Sequence, residues 1–256
     1  MTRSKRWTAT LALAALALAF ASPAAAEEME KPGELASVWV FWPQPGHQAE
    51  MEAGIKAHGA WRKEAGEGWV WNVWQPVVGE DMAHFVIRSA GHHWADLDAQ
   101  EAWEQQSGAF AKYAEQMGAH VARVEHYLTK MDAEHSKWDF EGLPRYVGVS
   151  TNHLAPGAYG RVLEGLGKIH KAAVDGQWTH SWGVSWTVGG AGGMTVAFPY
   201  PSWADMAEPD PPFMKLLADS LGSPEAAREM MEQFQSAFVD QSYTIYAFRP
   251  DLSTPR

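Results

Sequence analysis

The apolar residues of this chain keep two alternating rhythms, one of period two and one of three to four. Residues 38–42 are a β-branched and aromatic run stopped by Pro43 and Pro45, which predicts a strand. Over residues 48–65 the spacing turns helical, with Met51, Ile55 and His58 on one face. Residues 69–75 and 82–88 flank a turn at Gly79 and predict a β-hairpin. A helical stretch follows over about 94–123, and a short strand near 126–131 closes the series. The same order then returns. A strand is expected at 146–151, and a helix at 159–173 with Val162, Leu163, Leu166 and Ile169. A hairpin of 178–187 with 194–198 turns through the glycine-rich 189–193. A helix at 226–239 and a strand at 243–248 complete the second series.

The recurrence extends to individual residues. Trp69-Val-Trp-Asn-Val-Trp, Met82-Ala-His-Phe and His93-Trp-Ala-Asp-Leu are answered by Trp182-Gly-Val-Ser-Trp, Met194-Thr-Val-Ala-Phe and Ser202-Trp-Ala-Asp-Met. Pro45-Gly46 returns as Pro156-Gly157, and His58 is matched with His170. Self-similarity at one offset, near 110 residues in this sequence, marks a duplicated unit. The units are expected at 37–132 and 145–251, with a polar linker over 133–144.

The βαββαβ order of each unit is the ferredoxin-like arrangement. Both helices of such a unit cover one sheet face. The strands read as apolar on both faces, since Trp69, Trp71 and Val73 alternate with Val70 and Trp74. The bare faces of two units therefore cover each other. The expected fold is α+β, with two tandem ferredoxin-like units whose antiparallel sheets face each other.

In element order and repeat length the chain resembles the dimeric α+β barrel superfamily, in a tandem-repeat form. That group includes antibiotic-biosynthesis-monooxygenase-like, NIPSNAP-like, chlorite-dismutase-like and dye-decolorising-peroxidase-like proteins. The Gly-x-x-Asp-Gly stretch expected of dye-decolorising peroxidases is missing, so no catalytic residues carry over. The resemblance implies an oxygenase or a haem-dependent oxidoreductase as one functional class. A fold that hosts many activities does not select among them.

Composition narrows the setting. Arg3, Lys5 and Arg6 precede an apolar run over 11–21 and then Ala24-Ala25-Ala26, the pattern of a cleaved secretory signal over 1–26. The run is shorter than the roughly 20 residues of a spanning helix. Loss of this segment removes three of the 20 basic residues and none of the 31 acidic ones, which leaves a formal charge of −14. Such a chain repels phosphate backbones, so no nucleic-acid partner is expected. Cysteine is absent, which excludes disulfides and thiolate chemistry. The expected location is the periplasm or exterior.

Several side chains suggest chemistry. His92 and His93 with Asp96 and Asp98 resemble a metal cluster, but the match of His93 and Asp96 to Ser202 and Asp205 reads as helix capping. No metal is expected. His58 and His170 sit among apolar helix neighbours, as structural histidines or, under the resemblance, as a haem ligand or proton carrier, with His170 the haem candidate. His84 falls near Trp74 across the hairpin, and Asn72 shares the face of Trp74. His180 shares a face with Trp182 and Trp186, and Asn152 ends a strand. With these faces turned inward, Asn72, Trp74, His84, Asn152, His180, Trp182 and Trp186 line an aromatic-walled pocket between the sheets. The alternative is an interior packed solid. The tract 189–193 lacks the Lys-Ser/Thr of a phosphate loop, and Pro209-Asp-Pro-Pro212 reads as a spacer.

The leading reading is an exported binding or accessory protein for a small apolar or aromatic molecule, without a cofactor. The alternative is an oxygenase or haem-dependent oxidoreductase. Homo-oligomers are compatible with either. Mass spectrometry of exported protein is expected to find Glu27 at the N-terminus, and a start far from it would refute the cleavage site.

Overall fold

The computed structural model describes residues 33–191 and 193–255, so the export segment read at 1–26 lies outside the described residues. The first half contains β1 (Leu35–Pro43), α1 (Gln48–Glu64), β2 (Asn72–Val78), β3 (Phe85–His92), α2 (Trp94–Ser107), α3 (Ala109–Gln116) and β4 (Val121–Lys137). The second contains β5 (Tyr146–Leu154), α4 (Tyr159–Asp175), β6 (Trp182–Val188), β7 (Met194–Tyr200), α5 (Phe213–Leu221), α6 (Pro224–Gln235) and β8 (Phe238–Phe248). None of the described helices is long and apolar enough to cross a membrane.

The strand order is β4-β1-β3-β2 in one half and β8-β5-β7-β6 in the other, all antiparallel neighbours. The halves join edge to edge. β2 pairs with β8 and β4 with β6, so the eight strands close into a barrel without a free edge. The two ferredoxin-like units with facing sheets are therefore halves of one closed barrel.

Strand alternation sorts the side chains. Phe41, Val73 and Phe85 turn outward onto Met51 and Ile55 of α1. Trp182, Val184 and Met194 turn outward onto Val162 and Leu166 of α4. Their neighbours Val38, Val40 and Val86 consequently face the barrel interior. Fully burying side chains of this size contributes roughly 1.5–3 kcal/mol each, so these two helix-on-sheet layers are the main cores.

Three elements depart from the sequence reading. The helix expected over 94–123 is broken at Gly108, whose left-handed φ of 71° ends α2 and whose carbonyl starts α3. Periodicity continues across the break, which hides it. A 3-10 turn at Gly118–His120 then leads into a strand far longer than the short one expected. That strand, β4, runs to Lys137 and absorbs the first residues of the expected linker. Helix α5 was not anticipated behind Pro209-Asp-Pro-Pro212, where Pro212 is its N-cap. The capping reading of His93 and Asp96 matches the geometry, because the Asp96 carboxylate accepts the His93 backbone N–H at 2.7 Å.

The two units share one close contact. β1 and β5 begin 111 residues apart, as do α1 and α4, and the same offset relates Gly54 to Gly165. A β-carbon on Gly54 would lie 2.6 Å from the backbone oxygen of Gln116, and one on Gly165 would lie 2.3 Å from the Phe234 ring. Each first helix needs a glycine where the later helical segment of its unit crosses it. Gly54→Ala is expected to destabilise the fold by about 1–3 kcal/mol, because the obstructing atom is backbone. A urea midpoint equal to the parent's would refute this crossing.

Candidate functional site

Each unit leaves a gap between its outer sheet face and its helices. The larger, about 470 Å³, lies in the first half. Its sheet wall is Trp39, Phe41, Trp71, Val73 and Ile87, and its helix wall includes Ile55, His58, Arg62, Phe110, Tyr113 and Met117. This is within the roughly 300–1,000 Å³ of small-molecule pockets. Phe110 is 80% exposed and stands at the opening, with Tyr113 behind it at 6.1 Å between ring centres.

One polar network borders this cavity. Glu67, with a side chain only 1% exposed, accepts from Arg62 Nε at 2.7 Å, from Arg62 Nη2, from Trp71 Nε1 at 2.9 Å and from Gln100 Nε2 at 2.7 Å. Arg62 also reaches Glu104 at 2.9 Å. Burial opposes the Arg62 charge, but the bonds to Glu67 and Glu104 more than offset it and raise its pKa. The network is satisfied internally and fixes the cavity rim.

His58 differs. Its Nδ1 donates to Gln116 Oε1 at 3.0 Å, which fixes the tautomer and leaves Nε2 without a partner among the described residues. Burial lowers its pKa, partly opposed by the Gln116 bond. The ring lies against Trp61, with centroids at 5.4 Å, and edge-on to Tyr113 at 6.3 Å. Burial also raises the Tyr113 pKa. The cavity thus combines aromatic walls with a neutral imidazole that can accept a proton.

The second gap, about 250 Å³, occupies the equivalent place in the other half. Trp182, Val184 and Leu166 stand where Trp71, Val73 and Ile55 stand in the first. Trp178, Phe198, Phe213 and Phe234 narrow it.

The residues expected to share one pocket divide between opposite faces. Asn72 and Trp74 turn into the barrel, opposite Arg88 and Val86 of β3. His84, buried beside them, donates from Nδ1 to the Asp81 carbonyl at 2.7 Å and accepts the Tyr246 hydroxyl at Nε2 at 3.2 Å. Trp182 and Asn152 instead face the helices and line the second gap. Trp186 lies on that outer face too, and His180 contacts Trp178 and Tyr200 just before β6. The aromatic-walled spaces therefore lie outside the barrel, not between the sheets. One residue exchanges the faces of a strand: at the 111-residue offset Trp71 and Trp182 are the equivalent pair, so Trp186 falls one residue beyond the equivalent of Trp74 and takes the opposite face.

His58 and His170 are likewise one residue out of step, since Ile169 stands 111 residues after His58. His170 lines neither gap. It lies edge-on to Trp182 at 5.7 Å, with Nδ1 buried and unpaired. Arg62, Glu67, Glu104, Tyr113 and Gln116 were not singled out in the sequence, because they converge from three helices and the loop after α1 with no shared motif.

No protein-family model matches the sequence, and no curated protein matches it. Solved structures do share its architecture. An anthrone oxidase-like protein matches with a TM-score of 0.53 and 11% identity, over 87% of this chain and 94% of that one. A proposed monooxygenase from Lactobacillus acidophilus NCFM gives 0.50 and 7%, over 86% and 94%. A chlorite dismutase variant from Candidatus Nitrospira defluvii gives 0.51 and 9%, over 86% and 92%. At these identities the likeness is one of backbone, and it supports the fold alone, an α+β barrel of two ferredoxin-like units.

Burial lowers the pKa of His58, His84 and His92, each from 6.5, partly opposed by their neighbours. The folded chain therefore binds fewer protons than the unfolded chain below 6.5, and stability falls as pH falls through that value toward the lower folded pKa values. Thermal unfolding is expected at lower temperature near about pH 5 than near about pH 7, with a shallower fall in His84→Gln. A flat profile over that window would show that these rings are not held neutral.

Proposed function

We propose that the first-half cavity takes a flat aromatic molecule bearing a phenolic or similarly acidic group, and that the protein is an exported oxygenase-type oxidoreductase. The observation that carries this reading is His58, whose unpartnered Nε2 belongs to a neutral ring in an aromatic-walled cavity of ligand size. Trp39, Trp71 and Tyr113 supply rigid apolar contact at low entropic cost. Proton transfer from the ligand to Nε2 produces an anion, the electron-rich form that reacts with dioxygen. His58 is the general base, and Gln116 holds it in the required tautomer. For an anthrone-like methylene between two rings, one oxygen atom of dioxygen becomes the carbonyl and the other leaves as water. The anthrone oxidase-like and monooxygenase neighbours of this fold support the class of chemistry, as analogy only.

A haem-dependent variant fits the residues less well. His170, the candidate ligand, lines neither gap, and the gap beside it is below the usual cofactor size. The first cavity offers His58, but Arg62 is already committed to Glu67 and Glu104, and Glu101 and Glu104 add negative charge to a lining that would have to accept anionic propionates.

Oxygen uptake with a panel of anthrones and polycyclic phenols is expected to reveal turnover. His58→Ala is expected to lower kcat by about 100-fold or more while leaving Kd, read from tryptophan fluorescence, within a few-fold. Binding that survives without any turnover in the parent would leave a binding protein. Haemin binding with a Soret band that is lost in His58→Ala would restore the haem reading.

A further inference from the structure

The second gap contains chemistry that its counterpart lacks. Strand β4 follows β6 regularly until Asp132 pairs with Val184, and pairing resumes only where Lys137 meets Trp182. Five steps on β4 thus match two on β6. This wide bulge turns the chain back on itself. The His135 backbone N–H donates to Asp132 Oδ1 at 3.1 Å, and His135 Nδ1 lies 2.9 Å from both Asp132 carboxylate oxygens. Ser136 closes the interrupted ladder, accepting the Val184 N–H at 2.8 Å. Trp182 Nε1 holds the His135 carbonyl at 2.7 Å, and Trp186 Nε1 donates to Asp132 Oδ2 at 3.0 Å. Bulges re-aim side chains in this way, often beside functional sites.

The result is an oriented imidazole. Asp132 and His135 side chains are each 11% exposed. Burial acts to raise the Asp132 pKa, but the bonds from Trp186 and His135 prevail and hold it below the ordinary value. The carboxylate therefore stays ionised and fixes the proton on Nδ1. Nε2 has no partner among the described residues and points toward α4, 4.0 Å from where a β-carbon on Gly167 would stand. His135 lines the second gap with Trp178, Phe198, Phe213 and Phe234. In the same wall Trp178 Nε1 is buried without a hydrogen-bond partner. Buried donors are seldom left so. The two first-half residues thus serve the cavity of the second half.

We propose that this gap is a second ligand site, in which the Asp132–His135 pair receives the hydroxyl of a single-ring phenol. A cavity of about 150 Å³ already holds benzene, so 250 Å³ suits one substituted ring and excludes the polycyclic ligands of the first cavity. The hydroxyl donates to Nε2, and the aromatic walls hold the ring. On full proton transfer the proton resides on Nε2, the phenolate remains in the cavity, and Asp132 balances the imidazolium. Asp132 is a positioning residue, since it acts through His135.

The test uses 4-nitrophenol, whose phenolate absorbs separately from the phenol. Titration into the whole mature protein is expected to show saturable binding with a raised phenolate fraction. The titration is repeated in the His58→Ala background, which removes the proton acceptor of the first cavity, and saturable binding with a raised phenolate fraction is expected to persist there. His135→Ala is expected to weaken binding at least about tenfold. Asp132→Asn is expected to retain binding but lose the extra phenolate signal, a change that a merely structural role would not produce. Should His135→Ala fail to fold, Ile169→Phe fills the gap without touching the pair and is expected to abolish binding. Binding unaffected by His135→Ala or Ile169→Phe, or no binding to the parent, overturns the proposal.

Discussion

A four-stranded sheet with both helices on one side leaves two edges and one face unsatisfied, and the molecule resolves all three with the same contact. Pairing β2 with β8 and β4 with β6 removes every edge and turns the bare faces toward each other. Each seam joins the second strand of one unit to the last strand of the other. Neither half can close its edges alone, so the two units share one barrel. The interior is then occupied by Val38, Val40 and Val86 together with Asn72, Arg88 and the packed pair Trp74 and Phe248, while Trp39, Trp71, Trp182 and Trp186 go to the helix faces.

That allocation decides where chemistry can occur. A helix packed over a sheet touches it along a stripe, and the remaining space depends on the side chains at the margins. In the first half, Gly59 and Arg62 lie on the cavity side of α1, and Phe110 and Tyr113 of α3 line it from across the sheet, leaving about 470 Å³. In the second half, α5 and α6 bring Phe213 and Phe234 down, leaving about 250 Å³. Each unit builds the same niche, and the different later helices give each its size.

Much of the architecture was readable because it rests on local periodicity. The order of elements and the facing sheets follow from apolar spacing and from matched blocks such as Trp-Ala-Asp-Leu and Trp-Ala-Asp-Met. The site was far less legible. A strand's alternation shows which residues share a face but not which face is inside, so Asn72 and Asn152 were assigned to one pocket although they point to opposite sides of the wall. His84, with its Nδ1 on a backbone carbonyl and its Nε2 on Tyr246, is a satisfied structural histidine. His58 becomes distinctive only when Gln116, 58 residues later, takes its Nδ1. No spacing rule relates those two positions.

The bulge in β4 shows the same limit from the opposite direction. Residues 133–144 read as a polar linker because Asp132, Glu134, His135 and Ser136 interrupt the apolar alternation. In a regular strand those side chains would alternate between the barrel and the helix layer, and two charged groups would be buried without partners, at a cost of several kcal/mol. Folding the surplus residues into a bulge lets the His135 ring and backbone N–H satisfy Asp132, while Trp186 takes the remaining lone pair. The interruption that looked like the end of a domain is therefore the place where β4 crosses from one unit to the other. A polar stretch whose charges pair with one another, flanked by strands of the seam, is better read as part of the barrel than as a connection between its halves.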